Sequence, residues 1–276
     1  MFNTTKTIYS VMLDVANILG KPHVVLPSTT LNEKFKVMTP NTETQNPKLR
    51  YYALGLEYES LVQNTSINID MIRHKPTDGS LFRHIPFIAR PVDSDLTATE
   101  RDRYRLRTTR FVDGKEHAFY FIKLIDEVST NSKLLMVSNV NNESFLNTFS
   151  TEVSDILEPE IEERDSVDSS QIDYIAYSQH ISITITEDEL KELYNATKLL
   201  YGTNVFDGDS LTLGEIGIIS GNEAVDENGF KEIANAQINY FLKIDHVLTD
   251  INLLSKFTKT IEMGGMSPMV FRTYNE

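Results

Sequence analysis

The spacing of hydrophobic residues changes several times along this chain, and each change marks an element. Between Thr4 and Leu19 the apolar residues Ile8, Val11, Met12, Val15 and Leu19 recur at helical intervals, with Gly20 and Pro22 as the stop. Residues 22–48 are rich in Pro, Thr and Asn and read as a long, partly extended arm. Such an arm is an ordered surface loop, a disordered segment, or a strap laid on a neighbour. From Lys48 the period becomes that of strands, over Leu49–Leu56 and Ser66–Ile72, with turns at Asn64-Thr65 and Pro76–Gly79. Ile85–Arg90 is an apolar run closed by Pro91, which has no amide for a sheet ladder.

The stretch from His84 to Asp126 organises the rest. Thr97 and Glu100 have capping-box spacing and predict a short helix. Arg103, Arg105 and Arg107 then alternate with Tyr104, Leu106 and Thr108, a strand pattern that puts three guanidinium groups on one face. Asp113-Gly114 is a two-residue hairpin signal, and the return strand carries Phe119, Tyr120, Phe121 and Ile122. Lys133–Val137 reads as another strand, broken by Asn139–Asn142. Between Thr151 and Asp173 nine acidic residues face one basic residue, Arg164, a block that repels itself and reads as a linker.

Beyond the block, Ile181, Ile183 and Ile185 alternate with polar residues as the buried face of a strand. Thr186 and Glu189 form a second capping box, and Leu190, Leu193, Tyr194, Leu200 and Tyr201 form the stripe of a helix closed by Gly202. Gly214–Ser220 reads as a buried strand and Phe257–Met263 as a last one. Phe230–Val247 fits either helix or strand. The fold class that follows is α+β: strand-dominated sheets or a sandwich, an N-terminal helix, and a C-terminal strand-helix-strand unit. Its division is 1–150, an acidic linker at 151–172, and 173–276.

Composition narrows the chemistry. A net charge of -14 over 276 residues argues against nucleic acid as a bulk partner, because phosphate binding needs a basic surface. With no cysteine, disulfides, thiolate metal sites and thiol enzymes are excluded. No apolar run reaches the length of a membrane span, so no membrane partner is expected. The six histidines (His23, His74, His84, His117, His180, His246) show no metal-binding spacing. Asp207-Gly208-Asp209 is half of a calcium loop without its downstream glutamate. Neither Gly214–Gly217 nor Gly264-Gly265 matches a phosphate-binding loop, and no nucleophile elbow occurs. The expectation is therefore no cofactor, no metal and no catalytic residue.

The arginines remain. Arg101, Arg103, Arg105, Arg107 and Arg110 fall within ten residues. One reading pairs this stripe with carboxylates of an adjacent copy, Glu158, Glu160, Glu162 and Glu163 of the acidic block among them, through bidentate forks. The other gives the arginines partners within the chain, such as Asp93, Asp95, Glu100 and Asp102.

Two stretches carry a resemblance. In residues 85–126 these are Arg90-Pro91, Asp95-Leu96, Glu100-Arg101, Tyr104, Arg107, Asp113-Gly114 and Lys123–Asp126. The C-terminal runs are ELYNATKLLYG, GEIGIIS and IEMGGMSPMVF. The two stretches, 85–126 and 192–271, together span about half the chain, and they resemble a family of uncharacterised virion structural proteins of large tailed bacteriophages. The resemblance implies a non-enzymatic particle component, made in the host cytoplasm and built into the virion as a symmetric oligomer among other virion proteins. The neck or collar joining head to tail is the position expected first. A tail, baseplate or capsid-associated role in host-surface or glycan binding is the alternative, and a phage hydrolase a remoter one.

Overall fold

The computed structural model describes residues 4–23, 31, 35, 37, 45–56, 74–125, 127–128, 133–140, 143–148, 174–248 and 257–264. Ser66–Ile72 and the acidic block, with Glu158, Glu160, Glu162 and Glu163, lie outside them. The fold is α+β and strand-dominated, with an N-terminal helix and a C-terminal helix flanked by strands.

The chain forms two compact units, Met1–Ile125 with Ile185–Phe257, and Asp126–Thr184 with Thr258–Glu276. This differs from the division at 151–172, because strands from both halves of the sequence share one sheet. In the first unit, eight of the described strands build it: β1 (Thr4–Lys6), β2 (Lys48–Leu56), β3 (His84–Ile85), β4 (Ile88–Pro91), β5 (Tyr104–Val112), β6 (Lys115–Leu124), β11 (Leu211–Val225) and β12 (Lys231–Leu248). The order is β1-β12-β11-β2-β6-β4, with β3 added on β2 and β5 on β6. Every pairing is antiparallel. Pro91 ends the path on the edge strand β4, where its missing amide breaks no further ladder.

Phe230–Val247, whose periodicity fits either helix or strand, is strand from Lys231 on, as part of β12. β11 presents a continuous edge, and Ile233, Ile238 and Phe241 enter the core beside Tyr51, Phe119, Phe121 and Ile219. The ladder is irregular between Ser220 and Asn222, and Asn235 opposite that step takes a φ of 51°. Leu31, Phe35 and Val37 of the expected arm pack on this same core, so these residues serve their own chain. In the second unit the described strands are β7 (Glu127–Val128), β8 (Lys133–Val140), β9 (Glu143–Thr148), β10 (Tyr174–Ile185) and β13 (Phe257–Gly264), ordered β13-β10-β8-β9 with β7 on β10. β8 does not break at Asn139, which pairs with Ser144 of β9.

Both capping boxes form. Thr97 caps α2 (Ala98–Arg101), and Thr186 caps α3 (Glu187–Tyr201), each accepting from the backbone of the third helical residue. α3 buries Leu190, Leu193 and Tyr194 and packs on β4, where Arg90 makes a two-pronged bond to Glu192. Thr186→Ala is expected to cost about 1 kcal/mol, read as a lower denaturation midpoint, with Thr186→Ser close to wild type. The N-terminal helix α1 (Ile8–Ile18) is capped by Thr7 and rests Tyr9 and Leu13 against the sheet beside β12. Its periodic stripe faces the other way: Ile8, Val11, Met12, Val15 and Leu19 are exposed.

Candidate functional site

The β5–β6 hairpin turns at Asp113 and Gly114, both at positive φ, with Val112 opposite Lys115. That is the turn chemistry an Asp-Gly pair provides. Around its base the arginines meet acids from elsewhere in the same unit. Arg101 bonds Glu232 at 2.6 Å and Asp226 at 3.2 Å, and lies over the Phe230 ring at 4.2 Å. Arg105 is 0 % exposed and donates to the carbonyls of Asp102 and Tyr104 and to Glu223 at 3.0 Å. Arg107 donates to Asp95 at 2.8 Å, and Arg103 lies 3.2 Å from Glu189. Lys123, itself only 1 % exposed, reaches the same Glu189 at 2.9 Å.

These contacts correct the picture of one outward cationic stripe. The alternation of residues 103–108 suits a strand with a solvent face, but Tyr104, Arg105 and Leu106 are all buried, since β5 packs against β12 as well as pairing with β6. Each of the four guanidinium groups at 101, 103, 105 and 107 has a carboxylate partner inside the chain. Asp95 is the one such partner the sequence suggested; Glu189, Glu223, Asp226 and Glu232 come from α3 and the β11–β12 hairpin. Arg110 is exposed near the tip, next to Phe111, whose 77 % exposure is unusual for a large aromatic.

The network also fixes backbone. Glu232 holds Arg101 with one oxygen and accepts the Leu106 amide with the other at 3.1 Å. Leu106 sits at φ 60°, a conformation that costs a non-glycine residue roughly 1 kcal/mol. The carboxylate therefore helps hold a strained residue whose side chain enters the core. Asp95 accepts from the Tyr120 hydroxyl, the Arg107 guanidinium and the Leu96 amide. Burial, then the bond to Asp95 and its charge, push the Tyr120 hydroxyl well above its ordinary range. Burial, with the Glu189 charge added, pushes Tyr104 up to about 12. For Glu189 burial opposes ionisation, yet the Thr186 backbone bond, Lys123 and Arg103 outweigh it and the carboxyl is lowered. The Glu189 carboxylate is thus held in its charged form by its neighbours.

A second polar group had no signal in the sequence. His74 Nε2 lies 2.5 Å from Glu215 Oε2 and Nδ1 lies 3.2 Å from Asp78 Oδ2. Phe82 and Phe241 stack on its two faces at 4.2 and 3.7 Å. The other Glu215 oxygen accepts the Phe82 amide at 2.8 Å. Both ring nitrogens are engaged and both faces covered, so the imidazole has no free position for a ligand or a proton acceptor. The group pins the 74–82 turn to β11. His74 and Glu215 are 141 positions apart, beyond any spacing rule.

Among the described residues no cluster of three or more metal-ligating side chains occurs, and no helix is long and apolar enough to cross a membrane. A family model described as "Family of unknown function (DUF7208)" matches residues 2–275. The chain belongs to this family. No curated protein and no solved structure matches it.

Proposed function

We propose that this DUF7208 chain is a structural component of a tailed-bacteriophage particle, a non-enzymatic subunit that assembles into a symmetric oligomer, with the neck or collar as its first position. The observation that carries the reading is the inward pairing of the arginine cluster. Arg101 and Arg105 brace the hairpin against the β11–β12 end, Arg103 braces it against α3, and Arg107 against Asp95. A braced hairpin with an exposed Arg110–Phe111 tip is a rigid projection, which loses little conformational freedom on docking. The resemblance of residues 85–126 to phage virion proteins supports the same reading. The acidic-block partner for the stripe is not carried forward, since four of the five arginines are already occupied.

Mass spectrometry and reconstruction of purified particles test this directly. The chain should be present in multiple equivalent copies, beside other virion proteins, and its absence from particles would overturn the reading. Arg110→Glu with Phe111→Ser should lower incorporation into particles about 30-fold or more, the loss expected for an aromatic anchor. The isolated double variant should keep the wild-type melting midpoint.

A further inference from the structure

The apolar face of α1 is turned away from the sheet it rests on. Ile8, Val11, Met12, Val15, Ile18 and Leu19 form one stripe, from 38 % exposed at Ile8 to 63 % at Ile18. We infer that this stripe is a homotypic contact: α1 packs against α1 of a second copy of the chain. The inference gives the oligomer of the proposed function a specific interface.

Three features select a second copy. First, the residues repeat as two sets seven positions apart, 8/11/12 and 15/18/19. That is the recurrence of a seam between helices, where side chains of one helix fill gaps of another. A helix carrying this seam can pair with its own copy, and a two-fold contact uses the same patch on both sides. Second, the stripe contains no charged residue, and Asp14 beside it is neutralised by Lys6 of its own chain at 2.6 Å. Two copies carrying -14 each can therefore approach along α1 without bringing like charges together. Third, the area suffices. The six side chains expose on the order of 500 Å², the upper range for a patch on a monomer. Pairing two such patches buries about 1,000 Å² in total, the threshold of a specific interface. The helix itself is anchored from behind by Tyr9, Leu13 and the Thr7 cap, so the stripe is presented on a fixed support.

The test is the mass of the full chain in solution, by light scattering after size exclusion and by sedimentation velocity, from about 1 to 100 μM. Wild type should populate an even-numbered oligomer in this range. Val11→Asp with Val15→Asp should weaken association at least 100-fold while keeping the circular dichroism and melting midpoint of wild type diluted to monomer, because both side chains are solvent-facing in one copy. The chain has no cysteine, so Val15→Cys supplies a single thiol that should cross-link two copies under mild oxidation. A wild type that stays monomeric at the highest concentration overturns the inference. So does a double variant that keeps the wild-type mass. A double variant that melts several degrees below wild type diluted to monomer also overturns it, since the stripe is then covered by its own chain. Each outcome is separable from the particle reading: the protein can be found in virions with an α1 variant that assembles normally, or can pair through α1 and be absent from virions.

Discussion

Arg101→Met is expected to lower the stability of the chain by about 3 kcal/mol, measured as a shifted denaturation midpoint at constant slope. The side chain is buried and meets two carboxylates from the β11–β12 hairpin, Asp226 and Glu232, with the Phe230 ring against its guanidinium face. Methionine fills much of the volume but leaves both acids facing each other without their shared cation. Breaking a buried pair by removing one partner is costly because the other charge stays desolvated. Asp226 and Glu232 are partly exposed and can regain some water, which keeps the loss at the lower end of the range for buried pairs. A second contribution comes through Glu232, which also accepts the amide of left-handed Leu106. Once its cation is gone, that carboxylate is free to turn to solvent and Leu106 loses the bond that offsets its strain. Arg101→Lys should recover part of the loss, because a single nitrogen, Nη2, meets both acids and an ammonium can imitate it, but the shorter side chain loses the planar stacking on Phe230. Arg110→Met, at an exposed site a few residues away, should leave the midpoint unchanged. Equal effects at positions 101 and 110 would contradict the inward pairing.

The contrast between those two arginines shows which parts of this protein can be read from its sequence. Signals confined to a few residues came through: the Thr97–Glu100 and Thr186–Glu189 caps, the Asp113-Gly114 turn and the Ile181–Ile185 alternation each depend on neighbours within a turn or a strand. Periodicity also located α1 but could not say which way it faces. A helical stripe normally points inward, and here the sheet contact uses Tyr9, Ser10 and Leu13 instead. The arginine partners were out of reach for a different reason. Alternation places Arg103, Arg105 and Arg107 on one face, but whether that face meets water depends on β12, about 120 positions later. Ion pairs have no spacing signature when their members come from different strands, and neither does the His74–Glu215 pair. The strand identity of 231–248 was open because its apolar residues satisfy both periods; the available edge of β11 decides it.

Gly55→Ala is expected to destabilise the chain by about 3 kcal/mol, and nearly all of that loss should vanish when Glu215 is also alanine. Gly55 lies opposite Glu215 in the β2–β11 ladder. A Cβ at this position would come within 2.6 Å of Glu215 Cγ and 2.8 Å of its Cδ. A flexible exposed glutamate would swing aside at little cost. This one is buried and held by His74 on one oxygen and the Phe82 amide on the other, so the added methyl must break those bonds or shift the strands. The double-mutant cycle thus separates a clash with one immobilised side chain from general overpacking, which would persist without Glu215. Proton counting makes the same site pH-dependent. His74 bonds carboxylates through both nitrogens, and each bond needs a hydrogen; one neutral ring supplies only one. The second must sit on the ring or on Glu215. Burial raises the Glu215 carboxyl, and the bonds from His74 and the Phe82 and Arg83 backbones only partly oppose it. Folded protein therefore binds this proton more tightly than unfolded protein does. The stability linked to it is complete below the unfolded glutamate value of about 4.3 and declines as pH rises through the higher folded value. Glu215→Gln keeps an acceptor for the Phe82 amide and cannot ionise, so its stability should depend less on pH. Denaturation from pH 4.5 to 8 should show wild type losing stability relative to Glu215→Gln as pH increases. A constant difference across that range would mean that no proton is shared between His74 and Glu215, and that the turn is held to β11 by the Phe82 amide bond and by packing on Phe82 and Phe241.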